Sequence, residues 1–243
     1  MNRYGLIGKN IGYSFSENYF SEKFKTENIR DSVYKNFDLQ DISELKSVLN
    51  NVSLKGLNIT IPYKEAVIPF LDELSLEAEK IKAVNVIQFK VDKLIGHNTD
   101  IYGFEHSFKP HLESFHRKAL ILGSGGASKA VQYVLQKNNI NFQVVSRKSS
   151  YKTISYNELT KDLFSKYLVI INCTPLGTFP HVEQKPPIPY SFLTNRHYLY
   201  DLVYNPDETL FMKEGIKRGT TVENGLKMLK LQAEKSWEIW QSK

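Results

Sequence analysis

Ala119-Leu-Ile-Leu-Gly-Ser-Gly-Gly-Ala-Ser128 is the stretch that decides the fold: a short apolar run, a glycine turn and the start of a helix. That order is the opening of a Rossmann mononucleotide-binding unit. Gly123 permits the tight bend after the strand, and Gly125 lets the backbone approach a pyrophosphate. The small residues beyond let the helix lie close to the strand with its N-terminus toward the anion. Ser124, Gly126 and Ala127 complete the turn, and Ser128 stands at the third fingerprint position in place of Gly or Ala. Ala127, Ala130, Val131, Val134 and Leu135 then recur at helical spacing, which separates this turn from an idle glycine-rich loop.

The next apolar run, residues 141–145, reads as the second strand of the unit. An NAD site would place an acid near its end, about 20 residues past the glycines, to hold the ribose hydroxyls. Here Ser146-Arg147-Lys148 follows instead. Two cations and a hydroxyl suit a 2′-phosphate, and Arg147 can also stack on adenine. The expected cofactor is therefore NADP, the alternative being a solvated basic turn.

More than a hundred residues precede the glycine turn, too many for a tail. The layout predicts an α/β protein with a substrate-binding and catalytic domain over residues 1–101. A Rossmann-type dinucleotide-binding domain follows over residues 102–224, and a C-terminal helix, 225–243, returns to the first domain. Along that helix Leu226, Leu229, Ala233, Trp237 and Trp240 share one face.

In the front third, strands are predicted at residues 3–7, 33–37 and 57–61, with helices at 16–27, from Asp41 to Leu49, and 73–82. Pro62 suits the start of a further helix. Residues 84–89 and 93–95 read as a hairpin about Val91-Asp92. Further strands are expected at 168–172, 198–203 and 220–222. Alternation of this kind argues for parallel sheets covered by helices.

With 41% hydrophobic and 24% charged residues, the composition is that of a water-soluble globular protein. No apolar run approaches membrane-spanning length, and the N-terminal apolar stretch is too short for a signal peptide. Cys173 is the only cysteine, which excludes an internal disulfide and fits a cytoplasmic setting. A net charge of +6 favours anionic ligands, yet the basic residues are scattered with no dense arm, so a nucleic-acid partner is not expected. The six histidines lack ligand spacing, and no metal is expected.

Three polar clusters end predicted strands, where open α/β sheets hold their ligands. In Gly12-Tyr-Ser14-Phe-Ser16, two hydroxyls two residues apart in extended backbone point the same way and can grip one carboxylate, or Ser16 can simply cap a helix. In Asn58-Ile-Thr60-Ile-Pro-Tyr-Lys64, Asn58 and Thr60 share a face. Lys64 falls in the first turn of the expected helix, where the macrodipole disfavours a cation; a role in chemistry or plain surface exposure remain alternatives. Asn98-Thr-Asp100 reads as a ligand cluster or an Asx turn. Asn85, inside an apolar run, needs a partner if buried.

These runs occur in order with Asn-x-Thr-Pro-x-Gly at 172–177, Asp-x-x-Tyr-Asn-Pro at 201–206 and Gly-Leu-x-Met-Leu-x-x-Gln at 225–232. The ordered set spans the chain and resembles the shikimate 5-dehydrogenase family. The resemblance implies NADPH-dependent reduction of 3-dehydroshikimate to shikimate, a step of aromatic amino acid biosynthesis. It assigns the general acid/base to Lys64 and its partner aspartate to Asp100. The substrate carboxylate falls to Ser14 and Ser16, with further contacts from Thr60, Asn85, Tyr204 and Gln232. Thr174 joins the cofactor-binding residues, and backbone contacts to the nicotinamide end fall on Leu202 and Gly225. A monomer or homodimer acting on a small molecule is implied.

Glu17 stands where the family usually has proline, Phe20 where it has histidine, and Ile101 where it has glycine. Asn224 and Lys227 replace the usual Asp and Gly. The second phosphate-binding cation has no in-register match, leaving Lys148 or Lys152 to serve. The competing readings are a dehydrogenase of quinate or a related cyclic polyol acid, and a non-catalytic NADP-binding regulator on the same fold.

Overall fold

The computed structural model describes residues 1–12, 14–50 and 53–242. It divides into two compact units, Met1–Thr99 with Ala233–Lys243, and Asp100–Gln232. The first unit contains β1 (Asn2–Gly8), α1 (Phe15–Thr26), β2 (Ser32–Asp38), α2 (Leu45–Leu49), β3 (Leu54–Ile59), β4 (Glu73–Leu74), α3 (Leu76–Ile81), β5 (Val86–Lys90) and β6 (Lys93–His97). The second contains α4 (Asp100–Phe108), β7 (Lys118–Leu122), α5 (Gly126–Lys137), β8 (Asn141–Ser146), β9 (Thr153–Ser155), α6 (Lys161–Lys166), β10 (Val169–Asn172), β11 (Tyr198–Asp201), α7 (Leu210–Ile216) and β12 (Thr221–Glu223). The last helix, α8 (Leu226–Gln241), is shared, its residues from Ala233 onward belonging to the first unit.

The first sheet runs β2-β1-β3-β5-β6-β4. It is mixed rather than wholly parallel: β5 lies antiparallel to β3 and to β6, while the other pairings are parallel. The cause is the connection at Val91-Asp92. Two residues close a hairpin but cannot carry a crossover, and Asp92 takes the left-handed turn conformation at φ 58.

Strand alternation splits this unit's core in two. Ile7, Leu57, Ile59, Val67 and Ile87 fill one face of the sheet. Tyr4, Leu6, Phe20, Tyr34, Val86, Ala233 and Trp240 fill the other. Trp240 donates its indole N–H to the Ile87 carbonyl at 3.1 Å. Gly56 makes room for that ring, because a Cβ there would fall 2.3 Å from it.

Three local expectations change. Ser14, not Ser16, caps α1: its Oγ accepts the Ser16 N–H at 3.1 Å. No helix begins at Pro62. Residues 61–67 form turns that lead into a 3-10 turn, Ile68–Phe70. Pro69 has no N–H for a helical ladder, and the Lys64 carbonyl is taken by the Val84 N–H at 2.8 Å. The helix expected over 73–82 starts only at Leu76, because Ser75 caps it and Glu73–Leu74 pairs with β6.

The second sheet runs β12-β11-β10-β7-β8-β9, all parallel. Read from β9, this is the Rossmann order, with the strand sequence reversing between β7 and β10. Leu120, Leu122, Val145, Phe164, Ile170, Leu199 and Phe211 form its core. The apolar runs are nearly continuous because helices cover both faces of a parallel sheet. No helix among the described residues is long and apolar enough to cross a membrane.

Candidate active site

A cavity of about 610 Å³ opens in the second unit at the carboxyl ends of β7, β8 and β10. Gly123, Ser124 and Gly125 line it from the turn after β7, Ser146 and Arg147 from the end of β8, and Thr174 from beyond β10. A crevice at the reversal of strand order is where such sheets bind ligands.

Gly123 has φ 100, a conformation that requires glycine. Gly125 is different. Its φ of −75 suits any residue, yet a Cβ on it, or on Gly126, would meet nothing within 4 Å. Protein packing therefore does not demand glycine there. The bare backbone leaves space at the N-terminus of α5, which no side chain caps. Such a terminus, with its partial positive charge, is an anion site. Ala127 follows within the first turn of α5. Ser128, fully buried, has its hydroxyl taken by Gln132 Nε2 at 2.9 Å, so the serine fits at a position that favours smaller residues.

Arg147 and Lys148 are exposed just past β8. Their cations stand where a dinucleotide's adenosine ribose falls in this fold. Leu202 and Gly225 come together in the same unit: a Cβ on Gly225 would lie 2.2 Å from the Leu202 carbonyl oxygen, and the Gly225 N–H donates to Val203 at 3.1 Å. Tyr156, Cys173, Pro175 and Pro187 also line the cavity and were not foreseen. Burial, reinforced by the Asp201 carboxylate, pushes the Cys173 thiol up, so it stays protonated near neutrality.

In the first unit Asn58 and the Asn98-Thr-Asp100 run are joined by one buried chain of hydrogen bonds that starts at Tyr34. Burial pushes the Tyr34 phenol well above its ordinary range, and the neighbouring Ser16 side chain draws it partly back. Tyr34 donates to Asn58 Oδ1 at 2.8 Å, and Asn58 Nδ2 donates to Ser236 Oγ at 3.1 Å. Ser236 and Thr99 share a bond of 3.2 Å. Asn85 then clamps Thr99, accepting its N–H at 2.7 Å and donating to its Oγ1 at 3.0 Å. Asn85 is thus the partnered buried amide that its apolar setting demands. Thr60, one residue past β3, is fixed by its N–H to the Ile7 carbonyl at 2.8 Å. Lys64 is half-buried on a loop held by Val84 and by the Tyr63 hydroxyl, which bonds the Leu39 carbonyl at 2.7 Å. Thr99 belongs to the Asn98-Thr-Asp100 run, whereas Tyr34 and Ser236 are not among the candidates of the sequence; a serine on the apolar face of α8 is the available signal.

Asp100, Tyr204 and Gln232 belong to the second unit. Asp100 is 8% exposed and opens α4, where a carboxylate favours the helix dipole. Gly103 lets α4 approach α8 closely, since a Cβ there would lie 2.5 Å from the Met228 carbonyl and 3.1 Å from Gln232 Cβ. Burial raises the Tyr204 phenol above its ordinary range. Two unusual residues fit quietly: Asn224 Oδ1 accepts the Leu226 N–H at 3.0 Å and caps α8, and Glu17 accepts Asn36 Nδ2 at 2.6 Å. Among the described residues, no three His, Cys, Asp or Glu side chains converge as metal ligands.

Fold and cavity together define a dinucleotide-binding α/β protein that carries a second, mixed-sheet unit rich in buried polar groups. A family model for the shikimate dehydrogenase substrate binding domain matches residues 6–87. Shikimate dehydrogenase (NADP(+)) of Clostridium botulinum is 36% identical over 247 residues, covering 97% of this chain and 95% of that protein. A chorismate mutase/shikimate 5-dehydrogenase fusion protein from Clostridium acetobutylicum superposes with a TM-score of 0.89 at 37% identity, covering 99% of this chain and 91% of that one. The shikimate 5-dehydrogenase from Thermus thermophilus, solved with NADP(H) and shikimate, gives 0.87 at 27% identity, covering 99% and 94%. The chain belongs to the shikimate dehydrogenase family.

Proposed function

We propose that this chain is an NADP-dependent shikimate dehydrogenase, reversibly reducing 3-dehydroshikimate to shikimate in aromatic amino acid biosynthesis. The observation that carries the reading is the cavity where the glycine turn, Arg147 and Thr174 converge. Gly125 and Gly126 leave open space for a pyrophosphate, and Ser146, Arg147 and Lys148 supply a hydroxyl and two cations for a 2′-phosphate. NADPH, when bound, supplies the hydride that the ketone carbon gains.

Ser14 and Ser16 hold the substrate carboxylate, and Thr60, Asn85, Tyr204 and Gln232 hold further substrate polar groups. The Lys64 ammonium stabilises negative charge on the ketone oxygen and delivers its proton. Asp100 orients that ammonium and a substrate hydroxyl. In the oxidative direction Lys64 takes the proton back. The loop position of Lys64 supports this role: its backbone is pinned by Val84, beside Asn85, while the side chain is left half-buried.

Lys64→Ala tests the reading. Turnover is expected to fall 10²–10⁴-fold, with a much smaller change in shikimate binding, because the ammonium matters most as the alkoxide develops. A folded Lys64→Ala protein with near-normal turnover removes Lys64 from the mechanism.

A further inference from the structure

At the carboxyl end of β11, Asp201 is fully buried. Its carboxylate accepts three hydrogen bonds: from Asn172 Nδ2 at 2.9 Å, the Val203 N–H at 3.0 Å and Thr209 Oγ1 at 2.6 Å. The bond from Asn172 dictates which way that buried amide faces. With Nδ2 committed to Asp201, Asn172 Oδ1 is turned to Thr174, accepting its N–H at 3.0 Å and its hydroxyl at 2.6 Å. Thr174 lines the cavity against the glycine turn, its methyl 3.0 Å from where a Cβ on Gly123 would fall. Through Val203 the same carboxylate fixes the backbone that leaves β11. The Val203 carbonyl accepts the Gly225 N–H at 3.1 Å, beside Leu202.

We infer that Asp201 is a positioning residue for the cofactor: one buried carboxylate sets both the Thr174 wall of the cavity and the Leu202–Gly225 backbone, without touching the ligand itself. The inference rests on reading the cavity as the NADP site. A buried carboxylate is costly to desolvate; burial pushes Asp201 up to about 6, with the bonds from Thr209, Val203 and Asn172 drawing it back. An apolar strand end would spare that cost, so the carboxylate's use lies in the three donors it orders. An asparagine at 201 keeps the shape but presents an N–H₂ where an acceptor is needed, leaving Thr209 or Asn172 to reorient.

The two walls follow β10 and β11, whereas Ser146 and Arg147 end β8 on the other side of β7, which predicts a split between ligands. Adenosine 2′,5′-bisphosphate carries the 2′-phosphate and no nicotinamide; NADP⁺ spans the whole cavity. Calorimetric titration of both ligands into wild-type, Asp201→Asn, Thr174→Val and the double variant reads the split. Asp201→Asn is expected to weaken NADP⁺ about ten-fold while leaving the bisphosphate within about two-fold. Thr174→Val is expected to weaken NADP⁺ as well, and the double variant by less than the product of the two singles. Should Asp201→Asn fail to fold, Thr174→Val alone decides, since normal NADP⁺ binding by it overturns the inference. Equal loss of both ligands in Asp201→Asn, or multiplicative loss in the double variant, also overturns it. Wild-type protein that binds neither ligand overturns instead the reading of the cavity.

Discussion

Replacing Tyr34 by phenylalanine removes one oxygen from the hydrogen-bond chain of the first unit and nothing else. Tyr34 is 2% exposed, and its hydroxyl donates at 2.8 Å to Asn58 Oδ1, itself on a 5% exposed residue. The ring stacks on Phe20 with centroids 4.6 Å apart and planes at 12°, a contact that phenylalanine keeps. The loss is therefore the donor. A buried acceptor left short of a donor costs about 1–3 kcal/mol; the deleted oxygen leaves little void. We expect destabilisation of about 1.5 kcal/mol, a drop of roughly 3–6 °C in melting temperature for a chain of this size. Because the chain runs from Tyr34 to Asn85, one of the proposed substrate contacts, the shikimate KM should rise several-fold while the NADP⁺ KM holds. Urea unfolding and two substrate titrations measure both effects. Unchanged stability would show that the hydroxyl is not a buried donor. An equal rise in both KM values would show a general defect rather than a disturbed substrate face.

Arg147→Ala should raise the KM for NADP⁺ about ten-fold or more and leave the use of NAD⁺ little changed, since a charge-assisted bond contributes roughly 1.5–3 kcal/mol and only NADP⁺ carries the 2′-phosphate. Equal loss with both cofactors would make Arg147 structural. Asp201 sets a pH signature. Its carboxyl is raised from 3.8 to about 6 in the folded chain, so its contribution to stability is full below about pH 4 and lost as pH rises through about 6. Over that window the stability of wild-type protein relative to Asp201→Asn should fall by about 3 kcal/mol; parallel pH profiles in denaturant unfolding would refute it.

The second unit was readable because its signals are local. The glycine turn, the apolar strand and the Ser146-Arg147-Lys148 run each carry their meaning within a few residues, and the parallel order follows from strand–helix alternation. The first unit was less so. Pro62 offered a helix start, but a tertiary bond from Val84 to the Lys64 carbonyl and Pro69 downstream set the outcome. Ser14 and Ser16 were found as a pair, while their division of labour was not. Ser14 caps α1 by accepting the Ser16 N–H, while Ser16 lies in the first turn of the helix. The link from Asn58 to Ser236 spans 178 positions, a distance at which spacing says nothing. Asn85 betrayed itself as an amide in an apolar run. Asp201 lay within a quoted motif, yet only the geometry around Asn172 and Thr174 gives it a task.

The most direct test of the central claim is a four-way initial-rate assay that follows reduced nicotinamide as it forms. Purified protein is given shikimate with NADP⁺, shikimate with NAD⁺, and quinate with each. Rapid reduction of NADP⁺ by shikimate, with the other three pairings far slower, is the predicted result. Turnover of quinate above shikimate, or of NAD⁺ above NADP⁺, would contradict the assignment of the substrate face or of the Arg147 pocket, and no turnover with any pairing by folded protein would contradict the account as a whole.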